Sequence, residues 1–217
     1  MRSMIVSVLA VMGLAGAQAA AQEFPDEARK PLVEVLGGSF FVFRDKVQEE
    51  LKLSDEQRQK LQEKFPEYVE ATMKVFERTK EATPEEREKT MQEHRKESGE
   101  KLAALLKDVL DARQQQRLFQ LQLQQAGVFA LMGENPAFTS LKITDEQRRK
   151  FKEIIREMEK KIEPLAREGR EGGNPEEIMA KVKKVRKEHE GKIEAILTDA
   201  QKQQWKELLG KPYDFND

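Results

Sequence analysis

The chain has 217 residues and no cysteine; 36% of its side chains are charged and only 6% aromatic, and 39 Lys and Arg nearly balance 40 Asp and Glu. This excludes a disulfide scaffold, and it leaves no net field to gather nucleic acid or an anionic membrane surface. A composition rich in Glu, Lys, Gln, Leu and Arg matches long amphipathic helices with thin apolar seams rather than a deep core.

The N-terminus reads as a signal peptide over 1–21, with Arg2 as the positive region, an apolar stretch over 4–17, and Ala17-Gln18-Ala19-Ala20-Ala21 as the small residues before cleavage. That stretch is shorter than the roughly 20 apolar residues a spanning helix needs, so no stable membrane insertion is expected and the mature chain is placed in the periplasm. Residues 22–50 open with Pro25 and Pro31 and then turn apolar at Gly37-Gly38-Ser39-Phe40-Phe41-Val42-Phe43. Two readings stand here, a lid over helix ends or an exposed contact surface for other polypeptides.

The first helical unit spans 51–126. Leu53-Ser54-Asp55-Glu56-Gln57 is a capping box: the Ser54 hydroxyl takes an N–H of the first turn and Gln57 reaches back to the Ser54 N–H, with Asp55 and Glu56 at the positive end of the helix dipole. Its seam reads Leu61, Phe65, Val69, Thr72 and Phe76, and Pro66 predicts a kink or break near Phe65. Thr83-Pro84-Glu85-Glu86 starts the next helix, whose seam is Met91, His94, Ser98, Leu102, Leu105 and Val109. This helix is expected to continue past Asp111 into the Gln-rich run over 113–125, although Leu110-Asp111-Ala112-Arg113-Gln114 is a weaker copy of the capping phrase. Leu118, Phe119, Leu121 and Leu123 interleave with those Gln residues and make the run helical.

A second apolar connector, 127–142, carries Val128, Phe129, Leu131 and Met132. The second unit, 143–210, repeats the plan. Ile143-Thr144-Asp145-Glu146-Gln147 caps a helix with the seam Phe151, Ile154, Ile155, Met158, Ile162 and Leu165. After a flexible turn, Asn174-Pro175-Glu176-Glu177 starts a helix with the seam Ile178, Val182, Val185, His189, Ile193 and Ile196. Leu197-Thr198-Asp199-Ala200-Gln201 caps the last helix, which carries Trp205, Leu208 and Leu209, and 211–217 is a tail.

The copies superpose by number. Leu53 lies 90 before Ile143, Pro84 lies 91 before Pro175 and Leu110 lies 87 before Leu197, as a tandem duplication requires. The expected fold is therefore all-α, two tandem helical hairpins of long amphipathic helices packing on each other.

The paired phrases at Leu53 to Gln57 and Leu197 to Gln201 resemble the LTxxQ motif of the Spy/CpxP family of bacterial periplasmic helical proteins, over about 50–209. The resemblance implies a cradle-shaped helical fold, usually an antiparallel dimer. It also implies ATP-independent chaperone activity, as in Spy, or modulation of envelope-stress signalling, as in CpxP. Related proteins of similar helical plan bind or sense heavy metals, which is the alternative function. Here the motif pair occurs twice with a shorter stretch between its members, which suggests a fused pseudo-dimer or a homodimer of such chains.

As candidate partners, unfolded or envelope polypeptides would meet Phe40, Phe41, Phe43, Val128, Phe129, Leu131 and Met132. His94 and His189, beside Glu93, Glu188 and Glu190, are the raw material of a metal site, but two seam histidines without cysteine read first as half-buried polar residues, and no metal ligand set is assigned. No nucleophile with a base, phosphate loop or ligand triplet appears, so neither enzyme activity nor a cofactor is expected.

Overall fold

A computed structural model describes Arg29, Val33 and residues 35–132 and 136–215, with the backbone alone at Met132, Pro136 and Arg170. The signal-peptide assignment over 1–21 lies outside the described residues. The protein is all-α, with no strand among the described residues. None of their helices is long and apolar enough to cross a membrane.

In chain order, a 3-10 segment, Gly38–Phe43, precedes α1 (Asp45–Glu50), α2 (Asp55–Arg78), α3 (Pro84–Val109) and α4 (Ala112–Ala126). A second 3-10 segment, Gly127–Met132, precedes α5 (Pro136–Ser140), α6 (Asp145–Arg170), α7 (Pro175–Ile196) and α8 (Asp199–Leu209). The chain divides into two compact units between Phe119 and Gln120, inside α4.

The helices start where side chains satisfy orphan N–H groups. Ser54 Oγ accepts from Gln57 N at 3.2 Å while Gln57 Oε1 accepts from Ser54 N at 2.9 Å. Thr144 with Gln147, Thr198 with Gln201, and Thr83 with Glu86 close the same box. Asp111 Oδ1 accepts from Arg113 N and Gln114 N. The phrase also ends the short helix before it: Lys52 and Lys142 take φ of 53° and 50°, the left-handed cap conformation that returns the chain toward the next start. Lys52 N donates to the Glu49 carbonyl and Leu53 N to that of Gln48, a Schellman closure without glycine.

Three expectations are corrected. α2 runs unbroken through Pro66, which lies on the exposed face, so the chain does not break near Phe65. α3 stops at Val109, because Leu110 is extended (φ −94°, ψ 139°) and Asp111 opens α4 as a new helix. On the seams, Tyr68, Val75 and Leu106 are buried where Val69, Phe76 and Leu105 were expected, and those three are half-buried. The phase of a helix is set by what covers it, and in unit 1 that cover is aromatic.

In unit 1, α2 and α3 run antiparallel: Gln57 Nε2 meets the Val109 carbonyl at one end, Thr72 meets His94 midway, and Arg87 Nε meets the Thr79 carbonyl by the turn. The first 3-10 segment lies over them. The Phe40 ring stands edge-on to Tyr68 at 5.1 Å, and Phe43 tilts against Phe65 at 5.0 Å. Buried Arg29 ties this lid down through the Phe43 carbonyl and the Asp45 carboxylate. Each such ring removes enough apolar surface from water to contribute about 1.5–3 kcal/mol.

In unit 2, α6 and α7 run antiparallel beneath the second 3-10 segment. Surface ion pairs mark their register: Glu157 with Lys192, Lys161 with Glu188, and Glu168 with Lys181. Exposed pairs of this kind each contribute little.

Candidate functional site

The capping phrases are not independent. Gln57 Nε2 donates to Gln114 Oε1 at 2.7 Å and Gln114 Nε2 returns to Gln57 Oε1 at 3.0 Å, so two N3 glutamines face each other and lock the start of α2 to the start of α4. Gln147 and Gln201 do the same at 2.7 and 3.0 Å, locking α6 to α8. The remaining donors reach carbonyls: Gln57 that of Val109, Gln114 that of Lys52, Gln147 that of Ile196, and Gln201 that of Leu141. Every amide donor and acceptor is thereby used, the condition under which a part-buried polar network rigidifies rather than weakens a fold. Beside these amides Leu53, Ile143 and Leu197 are buried. The sequence shows each glutamine as half of a cap; the second half of its work depends on residues 54 and 57 positions away.

Most of the large side chains of the apolar connectors are buried. Phe40, Phe41, Phe43, Val128 and Leu131, named above as candidates for polypeptide binding, are buried in their own units, Phe41 and Leu131 completely. Phe129 is half-buried, and the side chain of Met132 lies outside the described residues. Half-buried apolar side chains occur in both units, Val69, Met73, Phe76 and Leu105 among them in unit 1, and a continuous aliphatic run of them lies on α6 and α7. Ile154, Ile155, Met158, Ile162 and Leu165 on α6, and Val182, Val185 and Ile196 on α7, are half-buried. Met179 at 56% is the exposed large hydrophobic residue among those described. Charged residues frame this seam, among them Lys161, Lys181, Glu157 and Glu188.

The two histidines differ. His94 has both ring nitrogens engaged: Thr72 Oγ1 donates to the Tyr68 carbonyl at 2.7 Å, so His94 Nε2–H donates to Thr72 Oγ1 at 2.9 Å, and Nδ1 faces Ser98 Oγ. Burial holds its pKa below the ordinary histidine value, although Glu97 pulls the other way. It is a satisfied core residue, and the idea of it as a metal ligand is dropped. His189 is completely buried, and its Nδ1–H donates to the Val185 carbonyl at 2.6 Å. Its Nε2 has no hydrogen-bond partner and faces Glu157 Oε1 at 3.7 Å. Glu188 stands alongside, and one ligand atom from each of Glu157, Glu188 and His189 lies within 4.8 Å of the others.

No family model, curated protein or solved structure matches this chain.

Proposed function

We propose that this is a tandemly duplicated, Spy/CpxP-like periplasmic protein that holds unfolded or envelope polypeptides without nucleotide, and that it is a binding protein rather than an enzyme. Recurrence of the elements supports the duplication. Gly37 and Gly127 both take positive φ, as do Lys52 and Lys142, and each pair is 90 residues apart. The two glutamine pairs recur with offsets of 90 and 87.

The observation that carries the binding reading is the half-open aliphatic seam of α6 and α7. Such a seam offers apolar contact that is only partly satisfied within the folded chain, while the Lys and Glu around it keep a complex in solution. The contact surface thus moves from the connectors, which are core, to the second helical pair. The test is suppression of aggregation of a denatured client at near-stoichiometric ratio, without nucleotide. Ile155→Ser with Ile162→Ser is expected to weaken suppression several-fold while the chain stays helical and folded at the assay temperature, with its unfolding free energy lowered by about 2–3 kcal/mol. Failure of the wild type against several unrelated clients, or an unchanged double variant, would remove the basis of this reading.

A further inference from the structure

Buried imidazoles are almost always hydrogen-bonded at both nitrogens, because a polar atom without a partner in the interior costs about 1–3 kcal/mol. His94 obeys this rule and His189 does not. The 2.6 Å bond to the Val185 carbonyl assigns the proton of His189 to Nδ1, which leaves a lone pair on Nε2. That lone pair faces an acceptor, the Glu157 carboxylate, at a distance too long for a hydrogen bond, 3.7 Å. A backbone carbonyl that fixes the tautomer while the other nitrogen points at carboxylates is the outer-shell arrangement of metal-ligating histidines.

From this geometry we infer that Glu157, Glu188 and His189 form a site for a divalent transition-metal ion of the zinc class, with the open positions taken by water or a bound group. The spacing suits it: two ligands of a tetrahedral ion with bonds of about 2.1 Å stand about 3.4 Å apart, against 3.7 Å between Nε2 and Glu157 Oε1. The donor set selects the class. One deprotonated nitrogen and two carboxylates suit zinc, nickel or copper(II), whereas magnesium and calcium prefer oxygen alone and copper(I) prefers sulfur.

The site is guarded. Lys192 binds Glu157 at 2.8 Å and Lys161 binds Glu188 at 3.0 Å, and these ammonium groups hold both carboxyls below their ordinary pKa range. Both lysines are about 40% exposed, so an entering cation displaces them into water rather than into the core. They also supply a signature that a plain ion-pair cluster lacks, since removing the lysines should strengthen metal binding.

Titration of the purified protein with zinc chloride at pH 7, with magnesium as the control, tests the site together with nitrogen NMR of the histidine side chains. One zinc per chain is expected, with the His189 Nε2 resonance shifting and that of His94 unmoved. Glu157→Gln with Glu188→Gln, both on the exposed face, should weaken binding at least tenfold, and Lys161→Met with Lys192→Met should raise affinity several-fold. Absence of stoichiometric binding, binding indifferent to the glutamate changes, a fall in affinity on removing the lysines, or an Nε2 found protonated and unmoved by zinc would each overturn the assignment.

Discussion

The two helical pairs open on the same kind of capping box and differ in how their seams are covered. Phe65, Tyr68, Thr72 and Val75 of α2 are buried, yet the residues 90 positions later, Ile155, Met158, Ile162 and Leu165 of α6, are only half-buried. The partner helices differ in the same sense, with Met91 and His94 buried on α3 and Val182 and Val185 half-buried on α7. The covered seam contains rings and a satisfied polar core, Thr72 to His94 to Ser98. The open seam is aliphatic. A buried hydroxyl–imidazole network is tolerable only where the surroundings complete it, while an aliphatic stripe left half-exposed suits contacts made and broken with another chain.

The contrast breaks most sharply under truncation. Phe43→Ala should cost about 3–5 kcal/mol, as a cavity in a packed ring cluster does, and Leu165→Ala about 1–2 kcal/mol, because part of its surface is already in water. Denaturant unfolding of the two variants decides this. Equal losses would mean that the seams are equally covered.

The next test concerns what the units share. Gln114→Ala and Gln201→Ala should each cost about 1–3 kcal/mol by leaving the facing glutamine and a carbonyl unpaired. The caps themselves are smaller: Ser54→Ala and Thr144→Ala should each lower the unfolding free energy by about 1 kcal/mol. If a change matters in one unit and not in the other, the capping phrases are not equivalent.

The smallest effect is a pH dependence carried by His94 in unit 1. Because burial depresses the folded-state pKa of His94 below its ordinary 6.5, the unfolded chain binds the proton more readily. Stability is therefore full above about pH 6.5 and declines as pH falls from there toward the folded pKa. Replacing His94 with Gln should flatten that decline in a series of thermal melts.

The helix starts were legible because a capping box is written within four residues: Ser54 with Gln57, Thr83 with Glu86, Thr144 with Gln147 and Thr198 with Gln201 stand where the sequence places them. Features set by distant residues were less so. Which face of α2 is buried depends on Phe40 and Phe43 arriving from the preceding segment, which draws Tyr68 inward in place of Val69. The break after Val109 brings Gln114 to Gln57, a partner distant in the chain. The difference between His94 and His189 lies in their neighbours across the helical pair, Thr72 for one and Glu157 for the other, which spacing along a single helix does not show.

On the proposed function, the open seam of the second pair, and not its covered counterpart, meets polypeptide. A photo-crosslinking side chain placed at position 165, and in a second variant at the equivalent position 75, can be activated in the presence of a denatured client. Client adducts are expected at 165 and few at 75 while the protein stays folded; adducts at 75 alone, or none at either position while aggregation is still suppressed, would rule out the open seam as the binding surface.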